Sequence, residues 1–384
     1  RLLGNVFVEA RPLEGLVLRV NAGIDHAAIN RSTYQPRTTL NGYNLNGVAY
    51  IYNTANNQYL MEGTATYQRT FADIHNLNLL AGVSYEKFNY DASELGNNNF
   101  TTDAFLYNNI EAGTGNKIVK SDATENKMLS YFFRAGYVLK GRYLLTATLR
   151  ADGASVFAKN NKWGYFPSVA LGWTMSEEEF LKKAEWLSNL KLRLSWGQTG
   201  NADISTNAFA SYGAQGSWIN SNYKTVNGVM KSRLENPDLK WETTSEWNLG
   251  IDFGFLKNRI SGSIELYQRT ISDLLNYKPL NTYQEVKQIM ANVGQTRSRG
   301  IELTLNTHNI QTKDFNWSTG FTFSKYEDKW KERTPDWKPN VYEKVNDPIR
   351  AIYARRADHI LQIGEPVPAA QPDLRPGQIV IKDL

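Results

Sequence analysis

Histidines and cysteines are the first residues to examine for catalysis or metal binding in this chain of 384 residues, which has four histidines and no cysteine. His26, His75, His308 and His359 are scattered without metal-ligand spacing, so we interpret them as solvated turn or loop residues. The absence of cysteine excludes disulfides, thiolate metal sites and a cysteine nucleophile. The sequence therefore predicts no metal and no cofactor.

A carboxylate pair and a glycine pair are the other candidates for chemistry. Asp152 and Glu242 could act as paired acids, but nothing in the sequence places them at the separation that glycoside hydrolysis requires. Gly213 and Gly216 do not follow a strand–helix unit, which argues against a phosphate-binding loop. We therefore expect that the chain is not an enzyme.

Aromatic residues in polar loops give the one indication of ligand binding. Trp218, Tyr223, Trp337 and Tyr342 lie among Asn, Ser, Gly and Lys. A flat apolar ring can stack on a sugar or peptide group while neighbouring amides form hydrogen bonds. These four are the candidate substrate-binding residues. The alternative is that their rings pack the loops or contact a covering partner.

The elements that must hold these loops are strands with one apolar and one polar face. Leu171 and Trp173 alternate with Ala170 and Gly172, and this period of two recurs in roughly twelve segments. One such apolar face is expected to begin at Trp241. The opposite faces carry Ser, Thr and charged residues, as expected for side chains that line a wet interior. Examples are Arg134, Arg150, Arg193, Glu246 and Asp252.

The connections between these strands alternate, short then long, without exception. Short turns at 140–141 and 256–258 would lie at one end, and polar loops at 28–57, 91–125 and 201–239 at the other. Outer-membrane barrels have this pattern, with short periplasmic turns and long outside loops. The sequence thus favours an antiparallel β-barrel over a soluble sandwich or propeller.

Composition agrees with this interpretation. The mean hydropathy is −0.49, and no run of about 18 apolar residues exists, which excludes a transmembrane helix and leaves a closed barrel to cross a bilayer. The chain has 21 Tyr, 16 Phe and 10 Trp, enough for aromatic belts at both membrane interfaces. The net charge of +5 is interspersed, so nucleic acid is not expected as a partner.

Several sequence blocks resemble SusC/RagA-type TonB-dependent outer-membrane transporters of Bacteroidetes. Together they are specific, although any one alone would be weak. The main blocks are RADGASVF at 150–157, NNKWGYFPS at 160–168, GQTGN at 197–201, NPDLKWETT at 236–244 and SRGIEL at 298–303.

The resemblance implies an all-β transmembrane antiparallel β-barrel, of which this chain is a partial segment; the whole would be a large plugged barrel of about 22 strands. Residues 1–328 are expected to form barrel wall with long extracellular loops, and residues 329–384 an extracellular loop region before the last strands. The N-terminal plug, the TonB-engaging motif and the last strands are absent from the sequence, so the chain is expected to be an internal piece of a longer protein.

The function implied by the resemblance is active import of a nutrient across the bacterial outer membrane. The implied partners are a SusD-like surface lipoprotein, the TonB complex through the absent N-terminal region, the lipid bilayer, and an oligosaccharide or peptide substrate. The alternative is a soluble or secreted β-rich protein that binds or cleaves glycans. That alternative requires the apolar strand faces, at Phe133, Leu171, Trp173 and Leu192, to be buried between two sheets.

Overall fold

A computed structural model describes residues 1–203, 208–219 and 225–382. Within these ranges the chain is almost entirely β-structure, with one α-helical turn, α1 (Leu40–Tyr43), and no helix that is long and apolar enough to cross a membrane. The strands are β1 (Leu2–Leu13), β2 (Leu16–Gln35), β3 (Val48–Phe71), β4 (His75–Asn98), β5 (Ile118–Leu139), β6 (Tyr143–Ala154), β7 (Trp163–Thr174), β8 (Leu187–Asn201), β9 (Ser211–Ile219), β10 (Thr225–Arg233), β11 (Glu242–Phe255), β12 (Ile260–Ser272), β13 (Leu275–Pro279), β14 (Gln288–Asn292), β15 (Gln295–Gln311), β16 (Asn316–Glu332), β17 (Ala357–Ile360) and β18 (Ile379–Ile381).

Twelve of these strands form one antiparallel sheet in the order β1-β2-β3-β4-β5-β6-β7-β8-β11-β12-β15-β16. Each strand of the sheet is hydrogen-bonded to the strand that follows it in this order, so the sheet is a continuous meander. The remaining strands form three hairpins, β9–β10, β13–β14 and β17–β18, outside the sheet. The antiparallel all-β architecture expected from the alternating pattern is confirmed.

Tight turns join the strands at what we call the short-turn end, at residues 14–15, 72–74 and 140–142 among others. Lys140 and Gly141 both have positive φ, of 54° and 67°, as in the two-residue turns that match the twist of a hairpin. In the turn at 14–15, glycine is required at Gly15 because a Cβ there would lie 2.2 Å from the carbonyl oxygen of Gln68. Local backbone geometry therefore fixes these hairpins.

The strands extend much further towards the opposite end, here called the long-loop end, than the sequence indicated. The expected polar loops at 28–57 and 91–125 shrink to 36–47 and 99–117, and β3 and β4 reach 24 residues each. Beyond the bilayer a strand needs no apolar face, since pairing with its neighbours still satisfies its backbone groups. Periodicity of hydrophobic residues therefore cannot detect these extensions.

The strict alternation of short and long connections is wrong at one place. Residues 175–186, between β7 and β8 at the short-turn end, outnumber residues 155–162, which join β6 to β7 at the long-loop end. Glu178 anchors the longer connection, because its carboxylate accepts hydrogen bonds from Tyr143 Oη at 2.6 Å and Trp173 Nε1 at 3.0 Å. Side-chain contacts thus replace a tight backbone turn here.

The two faces of the sheet differ in burial. Leu171 on the apolar face is 50% exposed, whereas Ser130 on the polar face is 1% exposed. Phe133 is likewise exposed, and Trp173 and Leu192 are half-buried. The apolar faces are therefore not sealed between two sheets, which contradicts the requirement of the soluble alternative.

A hydrophobic cluster lies at the long-loop end, where the resemblance blocks converge. Trp241 was expected on the outward apolar face, but it precedes β11 and is 7% exposed. Its ring packs against Phe157 and Phe166, with centroid distances of 5.3 Å to each, and its Nε1 donates to the carbonyl oxygen of Lys162 at 3.0 Å. Leu239, fully buried, belongs to the same cluster. This cluster ties the loops to the sheet.

Candidate functional site

The outer face of the sheet has the dimensions of a membrane belt. On β4 the outward residues from Leu77 to Tyr85 cover about 27 Å along the strand. At a strand tilt of about 40° this is about 21 Å across the membrane, close to the apolar band of about 25 Å in outer-membrane barrels. Aromatic rings mark the edge of this belt at the short-turn end, where Trp186 stacks on Phe255 with a centroid distance of 5.8 Å. Lipid contact explains why these side chains remain exposed.

The inner face carries an ion-pair network that spans three strands. Arg193 on β8 donates to Asp252 on β11 through Nε and Nη2, both at 2.8 Å, and from Nη2 to Glu265 on β12 at 2.9 Å. Gly250 lies opposite both Arg193 and Glu265 in the register. A Cβ on Gly250 would be 2.8 Å from Arg193 Nη2, so the missing side chain lets the guanidinium cross β11.

A polar pocket of about 650 Å³ lies beside this network on the same face. The carboxylate of Glu246 accepts from Arg269 Nε at 2.7 Å within it. Hydroxyl groups surround the pair, supplied by Thr146, Ser168, Ser195, Thr199 and Thr244. Such an arrangement offers donors and acceptors to hydroxyl- or amide-rich molecules and supplies no activated nucleophile. We call it the lumen pocket.

The two candidate carboxylates belong to separate hydrogen-bonded groups. Asp152 is held by Arg150, whose Nε lies 2.7 Å from Asp152 Oδ1 and whose Nη2 donates to Ser130 Oγ at 2.9 Å. Glu242 instead accepts from the backbone N–H of Leu275 at 3.0 Å. Asp152 holds Arg150, which joins β6 to β5, and Glu242 joins β11 to the β13–β14 hairpin. Both carboxylates therefore have structural roles.

The histidines are also dispersed. His26 Nδ1 is 2.6 Å from Asn57 Oδ1, and His75 Nδ1 is 2.6 Å from Tyr137 Oη. His308 lies at the end of β15 beside the short-turn end, and its backbone N–H donates to Arg259. In the part of the chain that the structure describes, no three His, Asp or Glu side chains are grouped so that they could hold a metal ion.

Three of the four candidate ring residues lie in the part of the chain that the structure describes. Trp218 lies on β9 and its backbone pairs with Val226, while Tyr223 lies outside the described residues. Trp337 is half-buried against Arg333, whose guanidinium carbon is 4.6 Å from the ring centroid. Tyr342 is 71% exposed. Of the two rings after β16, Tyr342 therefore presents the larger free surface.

The segment that carries these two rings is internally bonded. Arg333 lies between the rings of Trp330 and Trp337, 4.7 Å and 4.6 Å from their centroids. Farther along, the Asp347 carboxylate accepts hydrogen bonds from the Tyr353 hydroxyl and the Lys344 backbone N–H, which lower the pKa of Asp347. This loop holds its rings in defined positions.

Sequence reasoning missed Arg269 and Glu265, the partners of Glu246 and Arg193. Alternation along β12 from Ile264 would have placed both on the polar face. The turn at 256–259 sets the register that brings Arg269 opposite Glu246, whereas Glu265 meets Arg193 only because β8 pairs with β11, and these two strands are far apart in the sequence.

Residues 13–356 match the family described as TonB dependent receptor-like, beta-barrel. The chain belongs to this family. It is 32% identical over 364 residues to TonB-dependent receptor P3 of Formosa agariphila, covering 94% of this chain and 36% of that protein. It is 43% identical over 210 residues to TonB-dependent receptor SusC of Bacteroides thetaiotaomicron, covering 53% of this chain and 20% of SusC.

Solved structures of two transporters have the same fold. The RagAB peptide transporter aligns with a TM-score of 0.76 and 25% identity over 87% of this chain and 37% of that chain. The ferric citrate transporter FecA, at 9% identity and a TM-score of 0.50 over 86% of this chain and 42% of FecA, shares the fold alone.

These comparisons confirm the SusC/RagA-type resemblance, the barrel fold class and the location in the bacterial outer membrane. The relatives are receptors and transporters. The chain spans about a third of the length of receptor P3 and a fifth of SusC.

Proposed function

We propose that this chain is part of the barrel of a TonB-dependent outer-membrane importer for a nutrient oligomer, a glycan or a peptide. The observation that carries the proposal is the two-faced sheet: an exposed apolar belt on one side, and the Arg193 network and lumen pocket on the other. A wall of this kind separates lipid from an aqueous path. The similarity to the RagAB peptide transporter supports the same function.

The proposal assigns residues 1–328 to the membrane wall with its outside loops and residues 329–384 to an extracellular loop region. It places a SusD-like lipoprotein over the long-loop end and the TonB complex at an N-terminal region outside this sequence. The hairpins β9–β10 and β13–β14 lie in the connections that follow β8 and β12 at this end, where they would contact a covering partner. We further infer that the chain binds its substrate without chemically changing it.

We propose that substrate contacts the protein in two places, the loops and the lumen pocket. Trp218, Tyr223, Trp337 and Tyr342 would stack on sugar rings or peptide groups at the loops. The lumen pocket would then offer hydroxyls and the Glu246–Arg269 pair to the same polar molecule. Both surfaces suit neutral, hydrogen-bonding oligomers, which supports a glycan or peptide substrate.

A binding screen of the full-length receptor with its lipoprotein, against oligosaccharide and peptide pools, tests this function. We expect one class to bind and to be retained by the receptor in outer-membrane fractions. Replacing Tyr342 with Ala should weaken that binding. Lys313→Gln, a change in the turn at the short-turn end, serves as the control. A receptor that stays monodisperse without detergent, or that hydrolyses the pooled glycans, would contradict the proposal.

A further inference from the structure

Four cationic side chains stand on the outer face of β15 and β16, directly above the apolar belt. Side chains two residues apart on a strand share a face, so the residues paired with the belt identify this face. Reading towards the long-loop end, the cross-strand pairs are Leu303 with Phe323, Ile301 with Lys325, Arg299 with Glu327, and Arg297 with Lys329. On this face, therefore, the residue that follows Ile301 on β15 and the residue that follows Phe323 on β16 are both cations, Arg299 and Lys325.

Two carboxylates share this face with the four cations: Glu327, and Glu332, which lies opposite Gln295 one step farther along the strands. Glu327 accepts from Arg299 Nη2 at 2.8 Å and also pairs with Lys329. Arg297 and Lys325 add two positive charges on the same face, and Lys325 is exposed. The surface thus keeps an excess of positive charge next to the membrane, where an anionic group can complement it.

Below the cations lies a shallow groove of about 510 Å³ with an apolar floor. Arg299 and Lys325 line its upper part together with Glu327. The apolar lining residues are Leu194, Trp247, Leu249, Leu266 and Ile301. The exposed fraction of the floor side chains ranges from 38% at Ile301 to 53% at Trp247. A ligand that fills this groove must have an apolar part and, above it, an anionic part.

We propose that this surface binds an anionic membrane lipid of the leaflet on the long-loop side. Its phosphate contacts Arg299 and Lys325, and its acyl chains lie along the groove floor. Charge complementarity selects the headgroup, because cations beside a bilayer attract anionic lipids, and guanidinium–phosphate hydrogen bonds are charge-assisted. The site needs the outer face to contact lipid; it does not depend on which substrate the barrel imports.

A second pair of cations on the outer face carries less unbalanced charge than the cations of β15 and β16. Lys87 and Lys127 are directly opposite each other on β4 and β5, also one step above the belt. Glu125 accepts from both, at 2.7 Å and 2.5 Å. One carboxylate for two cations leaves an excess of one positive charge, whereas two for four leave an excess of two, so lipid selectivity should reside on β15–β16.

Native mass spectrometry of the full-length receptor can test the site with phosphatidylglycerol and phosphatidylcholine of identical acyl chains. We expect the anionic lipid to bind about 25 times more tightly, at about fivefold for each of the two contacting cations. Arg299→Gln with Lys325→Gln should lower its affinity about 25-fold, to that of phosphatidylcholine, whose own affinity should not change. Lys325→Gln alone, the milder change, should give about a fivefold loss if the double variant folds poorly.

Lys257→Gln with Lys313→Gln is the matched control, since it removes two exposed cations from turns at the short-turn end. It should retain the lipid preference. Equal binding of the two lipids by the unmodified receptor, or a preference that survives Arg299→Gln with Lys325→Gln, would overturn the proposal. So would binding of inorganic phosphate that depends on Arg299 and Lys325 while the two lipids bind equally, which would indicate a free-anion site. Substrate binding is measured in parallel, so failure of import and failure of lipid binding are distinguished.

Discussion

Replacing Val169 with Arg would place a charge at the centre of the membrane belt. Val169 lies on the outer face of β7, four residues from Tyr165 and from Trp173, and is 41% exposed. Four residues correspond to about 14 Å along the strand, or about 10 Å across the membrane at a tilt of about 40°. Val169 is therefore near the midplane, where Arg costs about 2–4 kcal/mol.

The adjacent residue supplies the control. Ala170 points to the other face and lines the lumen pocket, so Ala170→Arg adds the same side chain on the wet side. We expect that variant to cost less than about 1 kcal/mol, because the guanidinium stays hydrated. The assay is a guanidinium chloride titration of the full-length receptor folded into lipid vesicles, with heat-modifiable gel mobility to confirm the barrel.

The interpretation of the two faces depends on the difference between these neighbouring variants. If both cost the same, or if Ala170→Arg is the more destabilising, the outer face does not contact hydrocarbon. If Val169→Arg has no effect, the belt does not extend to β7.

Three further predictions address other parts of the molecule. Trp241→Ala should cost about 3–5 kcal/mol, seen as earlier unfolding and faster proteolysis of the long loops. Gly250→Ala should displace the Arg193 guanidinium from Glu265 and cost about 1 kcal/mol, since the network is partly exposed; a structure of the variant and its denaturation midpoint check this. The pKa of His359 is raised, chiefly by its hydrogen bonds to the carboxylates of Asp358 and Glu365. These contacts are therefore complete below the ordinary value of 6.5 and weaken as pH rises through the raised pKa. An NMR titration of His359 in the full-length receptor should give a value above 6.5, and a lower value would contradict the observed pairing.

The alternating faces of the strands could be predicted because the chemistry that specifies them is local. A strand such as β7 exposes Leu171 to lipid and Ala170 to the lumen, and a period of two places neighbours on opposite faces. The hairpin turns could also be predicted, as at Lys140–Gly141, since glycine readily adopts a positive φ. Where the bilayer imposes no alternation, as in the upper halves of β3 and β4, the sequence carries no such signal.

The candidate site was predicted only in its composition. Arg193 and Asp252 were recognised as charges on the polar face, but nothing near either residue names the other as its partner. The ring residues Trp337 and Tyr342 were identified by type, whereas the stacking of Arg333 on Trp337 depends on how the loop folds back. Trp241 was misplaced because periodicity continues past the point where β11 begins.

By itself, the sequence determined which side of each strand contacts lipid and which contacts water, because apolar and polar residues alternate along the strand and alternate residues lie on opposite faces. The tertiary structure alone decided which strands lie side by side and in what register. Inter-strand hydrogen bonds between distant segments set that register, and it brings Arg193, Asp252 and Glu265 together across the bare backbone of Gly250. It also gathers the cations of β15 and β16 above one groove.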